Sequence, residues 1–384
     1  MSYIKKLLPH EFNNWQNKRP LLGQLDIELT ERCNNACLHC CINLPEDDAA
    51  SRDREMNTDF VKDVLSQAAG LGCLTVRFTG GEPLLREDFA ELYEFARRMG
   101  MQVILFTNAC LVTPELAVLL ARIPPGRVLE VSVYGMRPES YDRAVGRKGA
   151  FEEFRRGVSL LEEHRIPFIV KAALLPLWKE ELAEFESWAR TILHMDKMPG
   201  YSMNFNLRSR RDNAAKNATI AGLRATPEET VSMLLRNPHF LEELKQFCRK
   251  FMGSSGDRLF SCGAGHGACI DAYGKVQMCL LLKNPATVVD LREVTLKTVL
   301  TEVFPAMRES SVATNPDYLR RCARCFLKGL CEQCPAKSWM ENGTLDTPVE
   351  YLCAVAHAQG RHLGLLGDNE NAWDVAGSGA RHSG

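Results

Sequence analysis

Between residues 24 and 207, segments with the pattern of strands alternate with segments with the pattern of helices. Alternation at this spacing is typical of a parallel α/β sheet, whose working loops follow the carboxyl ends of the strands. Periodicity alone allows an open doubly wound sheet or a full or partial barrel. We predict strands at 24–30, 74–80, 101–108, 127–135, 167–175 and 201–207, and helices at 58–72, 86–100, 113–123, 150–165 and 179–193.

The bulk composition excludes several classes of function. The 384 residues carry a formal net charge of −1, which gives no basic surface for nucleic acid or for a charged membrane. The longest apolar runs are too short to span a bilayer, and residues 1–20 lack the apolar stretch and cleavage site of a signal peptide. We therefore expect a cytoplasmic protein that binds neither nucleic acid nor a membrane.

The fifteen cysteines fall mainly into two clusters. Cys33, Cys37 and Cys40 have the spacing C-x3-C-x2-C and follow the first predicted strand, with Cys41 adjacent. Eight more lie between residues 262 and 353. Disulfides are disfavoured in the cytosol, and packing accounts for single cysteines but not for clusters. Ligation of zinc or of an iron–sulfur cluster is the leading interpretation.

A second motif, FTGGEPLLR at 78–86, ends the second predicted strand. Its two glycines let the backbone approach a ligand closely, and Glu82 adds a carboxylate that could bind an ammonium group. In this order and on this strand pattern, the two motifs resemble the radical S-adenosylmethionine (radical SAM) superfamily. His39 occupies the aromatic position of that family's cysteine loop. The resemblance covers residues 24–207 and implies a partial (β/α)6 barrel.

The resemblance also implies a cofactor chemistry. Cys33, Cys37 and Cys40 would ligate three irons of a [4Fe–4S] cluster, and S-adenosylmethionine would chelate the fourth. An electron from a flavodoxin- or ferredoxin-type donor would then release a 5′-deoxyadenosyl radical. Lys171 on the fifth predicted strand is directed at the mouth of the sheet, where the strands end. Arg147 or Arg143 would reach the carboxylate of the cofactor. The alternative for Ser132 is a hydroxyl at the end of a strand that bonds to backbone, and the alternative for Arg143 and Arg147 is an exposed, solvated position. The implied cofactor-binding positions are Gly80, Gly81, Glu82, Ser132, His39, Asn108 and Arg147.

The second cysteine cluster, with GKVQMC and CARCFLKGLCEQC, resembles the SPASM domain, an auxiliary-cluster extension of many peptide-modifying radical SAM enzymes. The chain departs from that pattern by having two residues, not three, between its last paired cysteines. The resemblance covers 259–355 and implies two further [4Fe–4S] clusters, with a structural zinc site as the alternative. The inner cluster would use Cys262, Cys269, Cys279 and Cys334, and the outer cluster Cys322, Cys325, Cys331 and Cys353.

These assignments predict five segments along the chain: an N-terminal lead-in at 1–22, a radical SAM core at 23–207, a helical bridge at 208–258, an auxiliary-cluster domain at 259–355 and a tail at 356–384. The basic turn at 208–212 is interpreted as a solvated surface, with a binding site for acidic groups of a substrate as the alternative. Four cysteines remain: Cys41, Cys73, Cys110 and Cys248. Cys73 and Cys248 are assigned to core packing, and Cys110 is assigned to packing with contact with the substrate as the alternative.

The expected function is hydrogen abstraction followed by oxidative modification of a peptide or protein side chain, such as a thioether or carbon–carbon crosslink. A separate leader-binding protein is an expected partner. One alternative is a sulfatase-type maturase that oxidises Cys or Ser to formylglycine, and another is a tailoring enzyme for a tetrapyrrole or sugar. No residue is assigned as the catalytic base, and Asp271, Tyr273 and Cys110 are weak candidates. A non-catalytic electron carrier is disfavoured because it has no use for the Gly-Gly-Glu-Pro loop.

Overall fold

The structure is a computed structural model that describes residues 15–16, 19–236, 241–246, 253–254 and 256–375. Cys248, assigned above to packing, lies outside the described residues. The chain divides into two compact units. The first contains residues 1–205 and 265–305, and the second contains 206–264 and 306–384.

A nine-stranded sheet forms the centre of the first unit. All six predicted strands are present, and their neighbours pair in parallel. The strands are β1 (Gln24–Thr30), β2 (Thr75–Gly80), β3 (Gln102–Thr107), β4 (Leu129–Val133), β5 (Phe168–Ala173), β6 (Gly200–Ser202), β7 (Ala268–Ile270), β8 (Lys275–Gln277) and β9 (Val289–Asp290). Their spatial order is β6-β5-β4-β3-β2-β1-β7-β8-β9, so the first six strands are consecutive.

The helices of the first unit begin at good capping residues. The side chain of Asn57 accepts from Phe60 N at the start of α1, and Thr113 accepts from Leu116 N before a proline at the start of α3. The main helices are α1 (Thr58–Gly70), α2 (Phe89–Arg98), α3 (Pro114–Arg122), α4 (Pro138–Val145), α5 (Ala150–Glu163) and α6 (Leu182–Ala189). Short turns of helix cover Ala49–Arg52, Pro83–Leu85, Pro176–Glu181, Pro285–Thr287, Leu296–Thr298 and Val299–Val303.

Side chains alternate across the parallel sheet. On β1, Leu25, Ile27 and Leu29 are fully buried on one face. The opposite face carries polar groups on several strands, including Asp26, Arg77 and Glu130. This alternation, together with the strand order, is the α/β partial barrel that the sequence predicts, and the fold class is confirmed.

The second unit is mainly helical. A capping box of Thr226 and Glu229 starts α8, and Tyr351 on α11 donates to Ala225 O at 2.9 Å. Leu327, Leu330 and Ala356 pack in its small apolar core. Its helices are α7 (Ala214–Gly222), α8 (Pro227–Leu235), α9 (Pro316–Arg320), α10 (Pro335–Asn342), α11 (Glu350–His362) and α12 (Ala372–Val375), with Phe304–Ser310 at the border between the units.

Two features differ from the predicted segments. Residues 265–305 belong to the first unit, because β7 pairs in parallel with β1 and extends the core sheet. The predicted border at residue 355 falls inside α11, so the start of the predicted tail is helical. Within the part of the chain that the structure describes, no helix is long and apolar enough to cross a membrane.

Candidate functional site

The cysteine loop follows β1 and is fastened at both ends. Residues Arg32–Cys33 pair in parallel with Leu44–Pro45, which closes the loop that holds the cysteines. Its middle is anchored on the end of α4, where Ala36 N donates to Val145 O at 2.8 Å and Leu38 N donates to Ala144 O at 3.0 Å. Backbone amides also approach the thiols, with Asn35 N at 3.4 Å from Cys33 Sγ. The loop is therefore a built structure at the carboxyl end of the sheet.

The loop gathers its thiols and presents an unused donor beside them. Burial raises the pKa of the Cys33 thiol, and the nearby Cys37 and Cys40 raise it further. The side-chain amide nitrogen of Asn34 is buried and makes no hydrogen bond in this structure, and that of Asn35 is buried near the Cys110 thiol. A buried donor without a partner is costly unless a ligand accepts from it. Three clustered thiols with a spare N–H donor therefore fit a thiolate-bound iron–sulfur cluster and its cofactor.

Gly80 and Gly81 have a clear packing role. A Cβ atom on Gly80 would lie 2.1 Å from Thr30 O, and one on Gly81 would lie 2.1 Å from Arg32 O. Gly81 N and Glu82 N donate to these same carbonyl oxygens, at 2.7 and 2.9 Å. The two glycines thus let the loop after β2 lie directly against the cysteine loop. Their contact with the cofactor stays a prediction.

The Glu82 carboxylate is fully buried and makes internal hydrogen bonds. It accepts from Asn108 N at 2.8 Å, from Thr107 Oγ1 at 2.9 Å and from Leu84 N at 3.2 Å. Burial raises the pKa of Glu82 to about 7, although these three donors lower it. These bonds join the end of β2 to the end of β3, and the contact of Glu82 with an ammonium group of the cofactor stays a prediction.

Asn108, at the end of β3, connects that strand to the cysteine loop. Its Nδ2 donates to Asn34 Oδ1 at 2.8 Å and lies 3.9 Å from Cys33 Sγ. Its Oδ1 accepts from Cys110 N at 2.9 Å. The predicted position of Asn108 beside the cluster loop is therefore observed.

His39 and Ser132 meet at one aromatic group. The His39 ring lies 5.5 Å from the ring of Tyr134 and 5.0 Å from that of Phe205, measured between centroids. Burial raises the pKa of Tyr134 well above its ordinary value, and the nearby Ser132 hydroxyl lowers it in part. The structure thus places both residues at the mouth of the sheet near the loop, and their cofactor contacts stay predictions.

Arg147 makes several contacts, whereas Arg143 is exposed. The guanidinium of Arg147 forms two hydrogen bonds with the Glu153 carboxylate, at 2.9 and 2.6 Å. It also donates from Nε to Asn35 Oδ1 at 3.1 Å. The bond to Glu153 raises the pKa of Arg147. Arg147 therefore positions Asn35 in the cysteine loop, which the sequence interpretation did not foresee.

The polar face of the sheet carries a charged row below the loop. Arg77 pairs with Asp26 at 3.0 Å, and Lys171 pairs with Glu130. Both cations face the ring of Phe106, with Arg77 Cζ at 4.8 Å and Lys171 Nζ at 5.2 Å from its centroid. We use the name charged row for Asp26, Arg77, Glu130 and Lys171 together with the ring of Phe106 that lies between the two cations.

The weak catalytic candidates have structural partners. Asp271 Oδ1 accepts from Tyr273 N at 3.0 Å and from Lys275 N at 2.9 Å, so it caps the turn between β7 and β8. The Tyr273 hydroxyl donates to Glu31 Oε2 at 2.8 Å. Glu31 also pairs with buried Lys283 at 2.9 Å. These bonds give Asp271 and Tyr273 structural contacts, and a role of either residue as the catalytic base stays a prediction.

Cys110 and Cys73 are buried, as the packing interpretation predicts. Cys110 Sγ lies 3.6 Å from Ala150 O, and burial raises the pKa of its thiol to about 11. Burial also raises the pKa of the Cys73 thiol to about 11. Neither thiol is therefore poised as a thiolate nucleophile.

The predicted inner-cluster cysteines divide between the units, so each pair is described by itself. In the first unit, Cys269 is buried, and its Sγ lies 3.7 Å from Asp26 Oδ2. Cys279 lies close enough to Cys269 to contribute, after burial, to the raised pKa of that thiol. Opposite Cys269 in the register is Gln277, whose side-chain oxygen and nitrogen are both buried without a hydrogen bond. The sequence interpretation missed Gln277, for which only its place two residues before Cys279 was a signal.

In the second unit, the remaining six cysteines line one cavity of about 170 Å³. Burial raises the pKa of each outer-cluster thiol, and in Cys331 the thiols of Cys325, Cys353 and Cys322 raise it further. All the described cysteines are free thiols. Among the described residues, no group of three or more histidine, cysteine or acidic side chains has the geometry to hold a single metal ion. The cavity cysteines are Cys262, Cys322, Cys325, Cys331, Cys334 and Cys353.

Comparisons with known proteins point to one superfamily. The family model described as the radical SAM superfamily matches residues 27–192. The AdoMet-dependent heme synthase of Methanosarcina barkeri is 26% identical over 336 residues, which span 82% of this chain and 92% of that protein. The antilisterial bacteriocin subtilosin biosynthesis protein AlbA of Bacillus subtilis is 22% identical, over 88% of this chain and 75% of its own.

Solved structures share the fold at lower sequence identity. Native anSMEcpe with bound AdoMet matches with a TM-score of 0.62 and 15% identity, covering 89% of this chain and 96% of its own. Streptococcus suis SuiB bound to S-adenosylmethionine matches with a TM-score of 0.62 and 17% identity, covering 84% of this chain and 75% of its own. Together with the cysteine loop on a partial barrel, the family match shows a radical SAM domain at residues 27–192, a family that implies S-adenosylmethionine and a [4Fe–4S] cluster.

Proposed function

We propose that this chain carries out oxidative modification of a peptide or protein side chain. When bound, the [4Fe–4S] cluster and S-adenosylmethionine supply a 5′-deoxyadenosyl radical, which takes a hydrogen atom from the substrate. Cys33, Cys37 and Cys40 would hold the cluster. We leave open which product forms: a thioether, a carbon–carbon crosslink or an aldehyde.

The chain's own residues prepare the site for that chemistry. Arg147 and Asn108 fix the side-chain oxygens of Asn35 and Asn34, so the two amide nitrogens are already oriented when a ligand arrives. The loop after β2 is held against the cysteine loop by two backbone hydrogen bonds. Cys37 is 5% exposed, which indicates that the loop excludes water from at least one ligand position.

The charged row is the observation that carries the choice of a peptide. Covering two ion pairs with a large apolar group would remove them from water without new hydrogen bonds, which is costly. A peptide supplies N–H and C=O groups that can replace the lost water. The Arg77 side chain is 23% exposed and the Lys171 side chain is 50% exposed, so a substrate can reach both. The resemblance to AlbA, a bacteriocin biosynthesis protein, supports the same choice.

A tetrapyrrole is the second candidate substrate. The heme synthase of Methanosarcina barkeri aligns along nearly its whole length with this chain. The two cations of the charged row could bind acidic side chains of such a ring, and Phe106 could contact its face. This candidate explains the cations, but it leaves Asp26 and Glu130 close to an anionic ligand.

Two auxiliary [4Fe–4S] clusters complete the proposal. Oxidation of a substrate radical releases an electron, and clusters at the C-terminal cysteines would accept it. The cavity of the second unit supports the outer site, since four of its lining residues are the predicted ligands. A flavodoxin- or ferredoxin-type donor and a separate leader-binding protein are the proposed partners.

The substrate is tested by offering two probes to the reconstituted, reduced protein. One probe is the peptide encoded by a short, cysteine-rich reading frame beside the gene, and the other is iron coproporphyrin III. The proposal expects loss of hydrogen atoms from the peptide in mass spectra, together with 5′-deoxyadenosine. Modification of the porphyrin with an unchanged peptide would favour the second candidate. A neighbouring sulfatase gene would direct the same assay to a sulfatase-derived Cys or Ser peptide.

A further inference from the structure

The cavity of the second unit contains a cation as well as thiols. Arg321, just after α9, lines the cavity, and its Nη2 lies 3.5 Å from Cys353 Sγ. Its Nε is buried and makes no hydrogen bond in this structure. The side chain is 12% exposed. A guanidinium keeps its charge in all ordinary conditions, so the charge beside Cys353 is permanent.

Arg321 is held firmly in this position. Glu350 accepts two hydrogen bonds from it, at 2.6 and 2.9 Å, and Asp317 accepts a third at 3.1 Å. Its Cζ lies 4.7 Å from the centroid of the Trp373 ring. The hydrogen bond to Glu350 raises the pKa of Arg321, and the Cys353 thiolate raises it too. The remaining donors of the fork are the Nη2 hydrogen near Cys353 Sγ and the unbonded Nε–H.

His357 supplies a second donor near the same sulfur. The backbone N–H of Ala372 donates to His357 Nε2 at 3.1 Å, so Nε2 is the acceptor nitrogen and the proton is on Nδ1. Nδ1 lies 2.8 Å from Cys353 O and 3.6 Å from Cys353 Sγ. The T-shaped contact with Trp373, at 5.2 Å between ring centroids, fixes the ring.

We propose that Arg321 and His357 raise the reduction potential of the outer auxiliary cluster through the thiolate of Cys353. Positive charge and hydrogen bonds at a ligating sulfur stabilise the reduced, more negative cluster. Both residues are positioning residues, because they act through Cys353. The inference rests on the proposed function, since it requires a [4Fe–4S] cluster at Cys322, Cys325, Cys331 and Cys353.

The test is an anaerobic redox titration of the full chain followed by EPR, with iron measured on the same samples. Replacing Cys33, Cys37 and Cys40 by Ala in every sample removes the radical SAM cluster and leaves the auxiliary signals. Arg321→Gln should shift one auxiliary signal to a lower midpoint potential with unchanged iron. Arg321→Lys, which keeps the charge, should restore part of the shift. His357→Phe, which keeps a ring, should give a smaller shift in the same direction.

The matched control is Arg320→Gln, since Arg320 is the adjacent arginine, is 67% exposed and also pairs with Asp317. It should leave every midpoint potential unchanged. Full iron with unshifted potentials in Arg321→Gln would overturn the inference. Loss of about four irons in both Arg321→Gln and Arg321→Lys would overturn it as well, because the residue would then be needed for assembly. Absence of auxiliary iron in the parent protein would instead contradict the proposed function.

Discussion

The side-chain amide of Asn108 donates to Asn34 Oδ1 across 2.8 Å, which joins the end of β3 to the cysteine loop after β1. The bond leaves the Asn34 nitrogen buried and without a partner. An amide whose oxygen is hydrogen-bonded and whose buried nitrogen is not has a donor available to a ligand of the loop. The pair therefore prepares the loop for the group that the three cysteines would hold.

Asn108→Ala should loosen the cysteine loop. The substitution leaves Asn34 Oδ1 buried without its donor, which costs about 1–3 kcal/mol in the free energy of unfolding. Chemical denaturation of the cluster-free protein measures this cost, and iron per chain after reconstitution should fall. The control is Asn371→Ala, because Asn371 is exposed and bonds only locally to Asp374. Equal stability and iron content in the two variants would count against the role of Asn108.

Gly81→Ala should prevent normal folding of the mouth. The new Cβ would lie 2.1 Å from Arg32 O and 2.7 Å from Glu31 O, and both atoms are backbone. We expect insoluble protein or a protein that retains no iron, measured by soluble yield and iron content. Gly70→Ala is the control, because a Cβ there meets nothing within 4 Å. A soluble, iron-loaded Gly81→Ala protein would show that the two loops need not lie so close together.

Glu82→Gln should change how stability depends on pH. Burial raises the pKa of Glu82 from 4.5 to about 7, so the folded state binds a proton more tightly than the unfolded state. This contribution is fully present below about pH 4.5 and is lost as the pH rises to about 7. Gln does not titrate, so the Glu82→Gln protein does not lose this contribution as the pH rises. The unfolding free energy of the variant should therefore rise relative to that of wild type across that window.

Glu115→Gln is the contrasting control for this pH dependence. Hydrogen bonds at the start of α3, first from the backbone amide of Glu115 itself and then from Thr113, lower the pKa of Glu115 below 4.5. Its contribution is present above about pH 4.5 and is lost only at lower pH, so wild type and Glu115→Gln should run parallel between pH 4.5 and 7. A constant difference between wild type and Glu82→Gln in the same window would refute the raised pKa.

The charged row predicts a separation between cofactor cleavage and substrate binding. Arg77→Gln and Lys171→Gln should raise the KM for the peptide about tenfold or more, since each removes one charged hydrogen-bonding group worth about 1.5–3 kcal/mol. Slow 5′-deoxyadenosine formation without peptide should stay unchanged, because the row lies below the cysteine loop. Lys148→Gln, at an exposed position, is the control. Parallel loss of both activities would place these residues in the cofactor site instead.

Much of the core could be predicted because each strand and helix carries its own periodic signal. The six parallel strands follow from that signal, and the cysteine loop falls where the first strand ends. The helix Pro138–Val145 was missed within the stretch between predicted elements. The sequence places the hairpin of β7 and β8 in the auxiliary-cluster segment because it does not state which strand edge the hairpin joins. Only the pairing of β7 with β1 in the folded chain puts it on the core sheet.

Site roles were harder to predict than site positions. Glu82 lies where the motif places it, but its carboxylate accepts hydrogen bonds from three groups of the protein. The donors are the Thr107 hydroxyl and the backbone amides of Asn108 and Leu84. Arg147 also lies near the cysteine loop, but its partner Glu153 is on the following helix. Hydrogen-bond partners of this kind depend on the packed structure, and no spacing in the sequence encodes them.

Iron content and 5′-deoxyadenosine formation in the anaerobically reconstituted, reduced protein test the role of the cysteine loop directly. We expect about twelve irons per chain with cofactor cleavage, and about eight irons with no cleavage when Cys33, Cys37 and Cys40 are replaced by Ala. Cys73→Ala should match wild type in both measurements. A triple variant that keeps all its iron and still cleaves S-adenosylmethionine would contradict the central claim that this loop holds the radical-generating cluster.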